Sequence, residues 1–229
     1  MSTRGNWTSA MTALILVALP WGGQAVAQDA AEEPPWGYSR WEFWLGPMFW
    51  PGLADLEPEA GRFDDVGLGL GVGVHVPVRR FENSDLLVGV DFSVGATESN
   101  IDGFLSDVMA RHFYFGVGSK WMFGQDRNVS LDAGIGFHQA DMAEVSTTYW
   151  GMEYEIWSKS RLGGYLGATW DISRSLPGKK NGLSLSFKAH FVDFGEVYDE
   201  DTLFLPIFGS GAGQLGGPIY MVQVAYSAR

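Results

Sequence analysis

The chain has 229 residues, of which 31 are glycine and 14% are aromatic, with a formal net charge of −12 and no cysteine. Such a composition fits neither a disordered chain nor a coiled coil, and the acidic excess argues against nucleic acid or polyanions as partners. Without cysteine there is neither a disulfide framework nor a thiolate metal site.

Residues 1–27 read as a secretory signal. Arg4 is its only charge, residues 11–19 (MTALILVAL) form a short apolar core, and Ala25-Val26-Ala27 supplies the small-x-small cleavage pattern. That core is too short to remain as a membrane-spanning helix, which needs roughly 20 apolar residues. Residues 28–37, with their AAEEPP run, read as a linker.

From there a two-residue period returns repeatedly, and eight strands are expected near 40–50, 65–78, 85–97, 111–123, 128–139, 161–173, 182–193 and 218–227. The second, VGLGLGVGVHVPV, puts Val66, Leu68, Leu70, Val72, Val74, Val76 and Val78 on one face, opposite Gly67, Gly69, Gly71, Gly73 and His75. The third alternates Leu86, Val88, Val90, Phe92 and Val94 with Asp91 and Ser93. The fifth sets Val129, Leu131, Ala133, Ile135 and Phe137 against Ser130, Asp132 and His138, and the seventh sets Leu183, Leu185, Phe187, Ala189 and Phe191 against Ser184, Ser186, Lys188 and His190. Connections after the second, fourth and sixth strands are short and turn-like. Those after the first, third, fifth and seventh run to about a dozen residues or more, a length that is uncommon in compact domains unless functional.

Short turns at one end and long loops at the other, on eight antiparallel strands, match the plan of a transmembrane β-barrel. A soluble lipocalin-like barrel would alternate too, but its exterior should be rich in Lys and Glu. Here the uncharged face is aliphatic and aromatic, and the other is rich in Gly, Ser and Thr, as a cramped interior requires. Trp41, Trp121, Trp170 and Tyr226 fall toward strand ends on the apolar face, where interfacial girdles belong. The aliphatic face of the second strand is therefore expected to meet lipid, with its glycines leaving room inside for Trp44, Tyr114 or Tyr165.

On the signal segment, the alternation and the loop asymmetry, residues 38–229 resemble a small bacterial outer-membrane barrel of the OmpA, OmpX and OmpW type. The resemblance implies an all-β, eight-stranded, antiparallel up-and-down barrel in the outer membrane of a Gram-negative cell, in contact with outer-membrane lipid and lipopolysaccharide. Its chain end, YMVQVAYSAR, departs from that family's usual terminal aromatic residue, since Tyr226 stands three residues before Arg229.

The inward ions are expected to form a paired polar network in the lumen: Glu42, Asp91, Asp132 and Asp171 against Lys120, Arg161 and Lys188, with His75, His138 and His190 among them. The expected role is structural, adhesive or envelope-stabilising, carried by the external loops of a monomer. A narrow channel for small solutes is the alternative, with histidine as the residue that could make it proton-sensitive. A lipid A-modifying enzyme would need a serine nucleophile or an acceptor-activating histidine near the outer leaflet. His112 and His138 lie near strand ends with Ser93 and Ser106 as possible partners, but no His-Ser pairing of that kind is visible, so no catalytic residue, cofactor or enzyme activity is expected.

No metal site is expected either, because no H-x-x-x-H spacing occurs. Gly211-Ala212-Gly213-Gln214-Leu215-Gly216 satisfies G-x-G-x-x-G without the strand and helix that would give it meaning, and reads as a flexible loop. Asn128-Val129-Ser130 is a sequon at a turn, without consequence in bacteria. The first loop carries Asp55, Glu57, Glu59 and Asp64 and the fourth carries Glu196, Asp199, Glu200 and Asp201, both read as solvated acidic surface. The third, VSTTYWGMEYEIW, is aromatic enough to contact lipid or a partner.

Overall fold

The computed structural model describes residues 39–54, 62–63, 66–100, 106–124, 127–146, 152–172, 182–197 and 214–228. The expected signal and linker, the carboxylates at 55–64 and 199–201, and the tip of the third loop lie outside the described residues. Eight long strands make the barrel: β1 Arg40–Phe49, β2 Val66–Arg80, β3 Ser84–Asn100, β4 Ser106–Phe123, β5 Val129–Ser146, β6 Met152–Asp171, β7 Gly182–Phe191 and β8 Pro218–Ala228. Each pairs antiparallel with the next in sequence, and β8 pairs with β1 through rungs such as Phe43 with Tyr226, so the sheet closes on itself. Closure removes every edge within the bilayer, the condition for crossing hydrocarbon with strands. Among the described residues no helix is long and apolar enough to cross a membrane.

The alternation sorts by solvent as expected. Leu68, Leu70, Leu131, Ile135, Leu162 and Leu166 are half or more exposed on the outside. Phe43, Val72, Phe92, Phe115, Phe137 and Leu162 follow one another in register as an apolar hoop around six strands. Trp41, Trp121, Trp170 and Tyr226 project outward at the short-turn end, and Phe191 at the loop end. The charges instead face inward, an arrangement inverted from that of a soluble barrel and suited to lipid outside.

The opening glycines of β2 do face the lumen. A Cβ on Gly71 would overlap the Trp44 indole, so the glycine is what lets that ring lie flat against the wall. Tyr165 uses a different strand: its ring lies over Gly134 of β5. The β2 glycines therefore make room for Trp44, while the two tyrosines lie against glycines of β4 and β5.

Strands β3 to β6 run further outward than the apolar alternation indicated. β4 begins at Ser106, β5 ends at Ser146 and β6 begins at Met152, so the third and fifth connections shrink to residues 101–105 and 147–151. The reason is physical. The ladder continues into water, but the outward residues change from Phe113, Phe137 and Leu162 to Arg111, Gln139 and Ser160, and the hydrophobic period that marks a strand stops at the membrane boundary. Arg111 Nε meets Asp141 Oδ1 at 2.6 Å at that boundary.

Short segments fold over the loop end. The single-turn helix α1, Pro51–Ala54, follows β1, and Gly195–Glu196 pairs with Gln214–Leu215. The second half of the G-x-G-x-x-G stretch is thus not a free loop: Leu215 is buried and its carbonyl accepts the Phe194 N–H at 2.9 Å.

Candidate functional site in the barrel lumen

The lumen is filled in three layers. Nearest the short turns is an ionic layer. Arg40 donates from Nε to Glu42 Oε1 and from Nη1 to Asp171 Oδ2, both at 2.7 Å. Lys120 Nζ stands 3.0 Å from Glu42 Oε2 and 3.1 Å from Asp132 Oδ2. Asp132 also accepts from Thr169 at 2.7 Å and Ser130 at 2.9 Å, and Asp171 accepts from Ser227 at 3.2 Å. Below this layer, at the rim, Asp85 meets Arg127 Nε at 3.0 Å and Arg80 Nε at 3.4 Å.

Asp91 centres the middle layer. It accepts the Tyr165 hydroxyl at 2.5 Å and lies 3.5 Å from both His75 Nε2 and Lys188 Nζ. Lys188 is held between two rings, 4.1 Å from the centre of Trp44 and 4.8 Å from that of Tyr165, where the π-faces attract the ammonium. Several of these contacts join strands that share no edge: β1 to β6 through Arg40 and Asp171, β1 to β4 through Glu42 and Lys120, and β3 to both β6 and β7 through Asp91. Buried charges are tolerated only when paired in this way, and breaking one pair is costly.

The third layer holds His112, His138, His190 and Tyr114, all buried. His112 Nε2 and His138 Nδ1 are 3.0 Å apart. Above them an apolar cluster closes the loop end: Met48, Met142, Trp157, Ile219 and Met221 from the strands meet Trp50, Leu53, Phe194, Val197 and Leu215 from the segments folded over them. Trp50 and Phe194 touch His112 with ring centres 5.8 and 6.4 Å away.

Of the residues expected in the network, Glu42, His75, Asp91, Lys120, Asp132, His138, Asp171, Lys188 and His190 are all buried in the lumen. Arg161 is the correction. Its strand parity is inward, but β7 shares rungs with β6 only from Gly164 onward, so Arg161 lies beyond the last one and its side chain is exposed. Among the described residues its Nη1 donates to the Ser160 carbonyl at 3.5 Å. Arg40 takes the missing cationic place, and its signal was available: it shares parity with Glu42 at the start of β1. His112 is not at an outer strand end, because β4 begins earlier than expected, and its partner is a histidine rather than a serine. The apolar cluster carried no continuous periodic signal, since Trp50, Leu53, Phe194, Val197 and Leu215 come from short segments outside the barrel strands.

No protein-family model matches the chain, and no curated protein matches it in sequence. Solved structures similar in fold include Ail, the attachment invasion locus protein of Yersinia pestis, in complex with the heparin analogue sucrose octasulfate. It is 14% identical with a TM-score of 0.45, and the match covers 83% of this chain and 99% of that one. Neisserial surface protein A is 8% identical with a TM-score of 0.41, covering 83% and 95%. The outer membrane protein OprG from Pseudomonas aeruginosa is 9% identical with a TM-score of 0.41, covering 83% and 96%. The closed sheet, its lipid-facing band and its inward charges decide the class. The chain is a small, eight-stranded transmembrane β-barrel. Its membrane-crossing wall is held from inside by ion pairs, and its loop end is closed by its own chain.

Proposed function

We propose that this barrel is a monomeric, non-catalytic scaffold of the outer membrane whose work is done at its loop end, as an adhesive or envelope-stabilising surface in contact with lipopolysaccharide. The observation that carries this reading is the filled lumen: ion pairs, edge-on and tilted rings and an apolar cluster follow one another along the axis, and eight strands enclose little more than side chains. Nothing of that arrangement suits solute passage, whereas β3 to β6 continue past the lipid band as hairpins available to a partner.

Planar-bilayer recordings of the refolded protein test the reading. Electrically silent membranes are expected, together with reduced attachment of whole cells when the tips at 101–105 and 147–151 are trimmed. Steady single-channel currents would instead favour a narrow channel.

A further inference from the structure

The sequence contains four histidines, and all four are buried in the lumen. One, His75, belongs to the Asp91 layer. The other three come from three different strands, β4, β5 and β7, which is why no sequence spacing announces them. Their ring centres form a nearly equilateral triangle: 5.2 Å from His112 to His138, 5.4 Å from His138 to His190 and 5.7 Å from His112 to His190. Among the described residues, His112 Nδ1, His138 Nε2 and both nitrogens of His190 have no hydrogen-bond partner, although each ring is enclosed. His112 and His138 satisfy one nitrogen each through their mutual 3.0 Å hydrogen bond, His190 satisfies neither, and buried imidazole nitrogens left without partners are costly.

We propose that His112, His138 and His190 form a binding site for a divalent late transition-metal cation of the zinc or copper class, for which clustered neutral imidazoles are a preferred donor set. As the rings stand, no three His, Asp or Glu side chains among the described residues converge on one point. However, an imidazole turning about its Cβ–Cγ bond sweeps its nitrogens while its centre hardly moves, so the ring-centre triangle is the more durable geometry. Three imidazoles bound at about 2.0–2.1 Å around one tetrahedral ion have centres about 5 Å apart, close to the triangle observed. His112 Nε2 and His138 Nδ1 face each other in a 3.0 Å hydrogen bond, which an ion taken up between them replaces as the shared proton moves to the other nitrogen of its ring, and turning His190 brings in the third donor.

Two further features favour a cation. The inner layers set Glu42, Asp91, Asp132 and Asp171 against Arg40, Lys120 and Lys188, an excess of carboxylate over permanent cation. In addition, the roof of the site consists of Trp50 and Phe194, which belong to segments outside the barrel strands. An ion can therefore enter from the loop end by displacement of these two rings, without opening the wall.

Calorimetric titration of the full, refolded barrel in detergent with zinc chloride tests the site. One ion per chain is expected, with affinity at least about tenfold weaker in His138→Gln and in His190→Gln, the loss typical of a damaged metal site. His75→Gln, outside the triangle, should bind as wild type does. No saturable binding by the wild type, or equal loss in all three variants, overturns the site. Should the variants not fold, the wild-type barrel titrated with cobalt(II) decides alone. Strong visible absorption from a four-coordinate ion supports the proposal, and the weak spectrum of a hydrated six-coordinate ion refutes it.

Discussion

The Tyr165 hydroxyl of β6 donates to Asp91 of β3 across the lumen at 2.5 Å, joining two strands that share no edge. The bond does two things at once. It satisfies a buried carboxylate, and it fixes the ring against which Lys188 rests. Tyr165→Phe keeps the ring and removes only the donor, leaving Asp91 with its longer contacts to Lys188 and His75. A loss of about 1–3 kcal/mol is expected from the weakened solvation of that carboxylate. Urea unfolding of the refolded barrel in lipid vesicles measures it, and an unchanged midpoint would mean that Asp91 does not depend on the tyrosine.

Lys120 and Arg161 were expected to behave alike, and the structure separates them. Lys120→Met strips a shared cation from Glu42 and Asp132 inside the wall, and should lower stability by about 3–5 kcal/mol. Arg161→Met removes an exposed side chain with no ion pair to any described residue, and should change stability by no more than about 0.5 kcal/mol. Comparable losses in the two variants would put Arg161 back in the network.

What could be read in advance was whatever repeats every second residue. Leu86, Val88 and Val90 announce β3 because lipid demands an apolar residue at each outward position, and that same demand made the inward carboxylates stand out. The reading stopped where the demand stops. Past Phe113, Phe137 and Leu162 the outward positions meet water, polar residues return, and the outer halves of β4 to β6 become indistinguishable from loop. The roof over the histidines was invisible for a related reason. Trp50, Leu53, Phe194 and Leu215 are brought together only after the barrel closes, so neighbours in space are far apart in the chain. The gathering of His112, His138 and His190 depends likewise on strand register, which the alternation leaves undetermined between strands.

Topology follows from the two ends of the barrel. Epitope tags inserted within 101–105 or 147–151 should be reached by antibody on intact cells, and a tag beside Asn83, in the tight turn between β2 and β3, should be reached only after permeabilisation. The opposite labelling pattern would invert the barrel in the membrane.

The lipid-facing assignment can be tested at Val72. It lies mid-strand in β2, with outward Phe43 and Phe92 as its register neighbours on β1 and β3. Val72→Arg places a cation in hydrocarbon and should destabilise the barrel by about 2–4 kcal/mol in bilayers. Folding in vesicles as stably as wild type would require that face to meet water.

The neighbouring position tests the interior by shape rather than by charge. A Cβ at Gly71 would collide with the Trp44 indole and with the Phe92 carbonyl of the adjacent strand, so Gly71→Leu should cost about 1–3 kcal/mol or more. The indole is one of the two partners in that clash, so a second substitution that removes it relieves part of the strain and leaves the contact with the Phe92 carbonyl. In the Trp44→Ala background the added leucine enters space vacated by the indole, and Gly71→Leu should become less costly there than in the wild type. The two changes should thus couple favourably when their effects are compared singly and together. Strict additivity would show that the glycine face of β2 does not pack against Trp44, and that the space behind it is taken up in some other way.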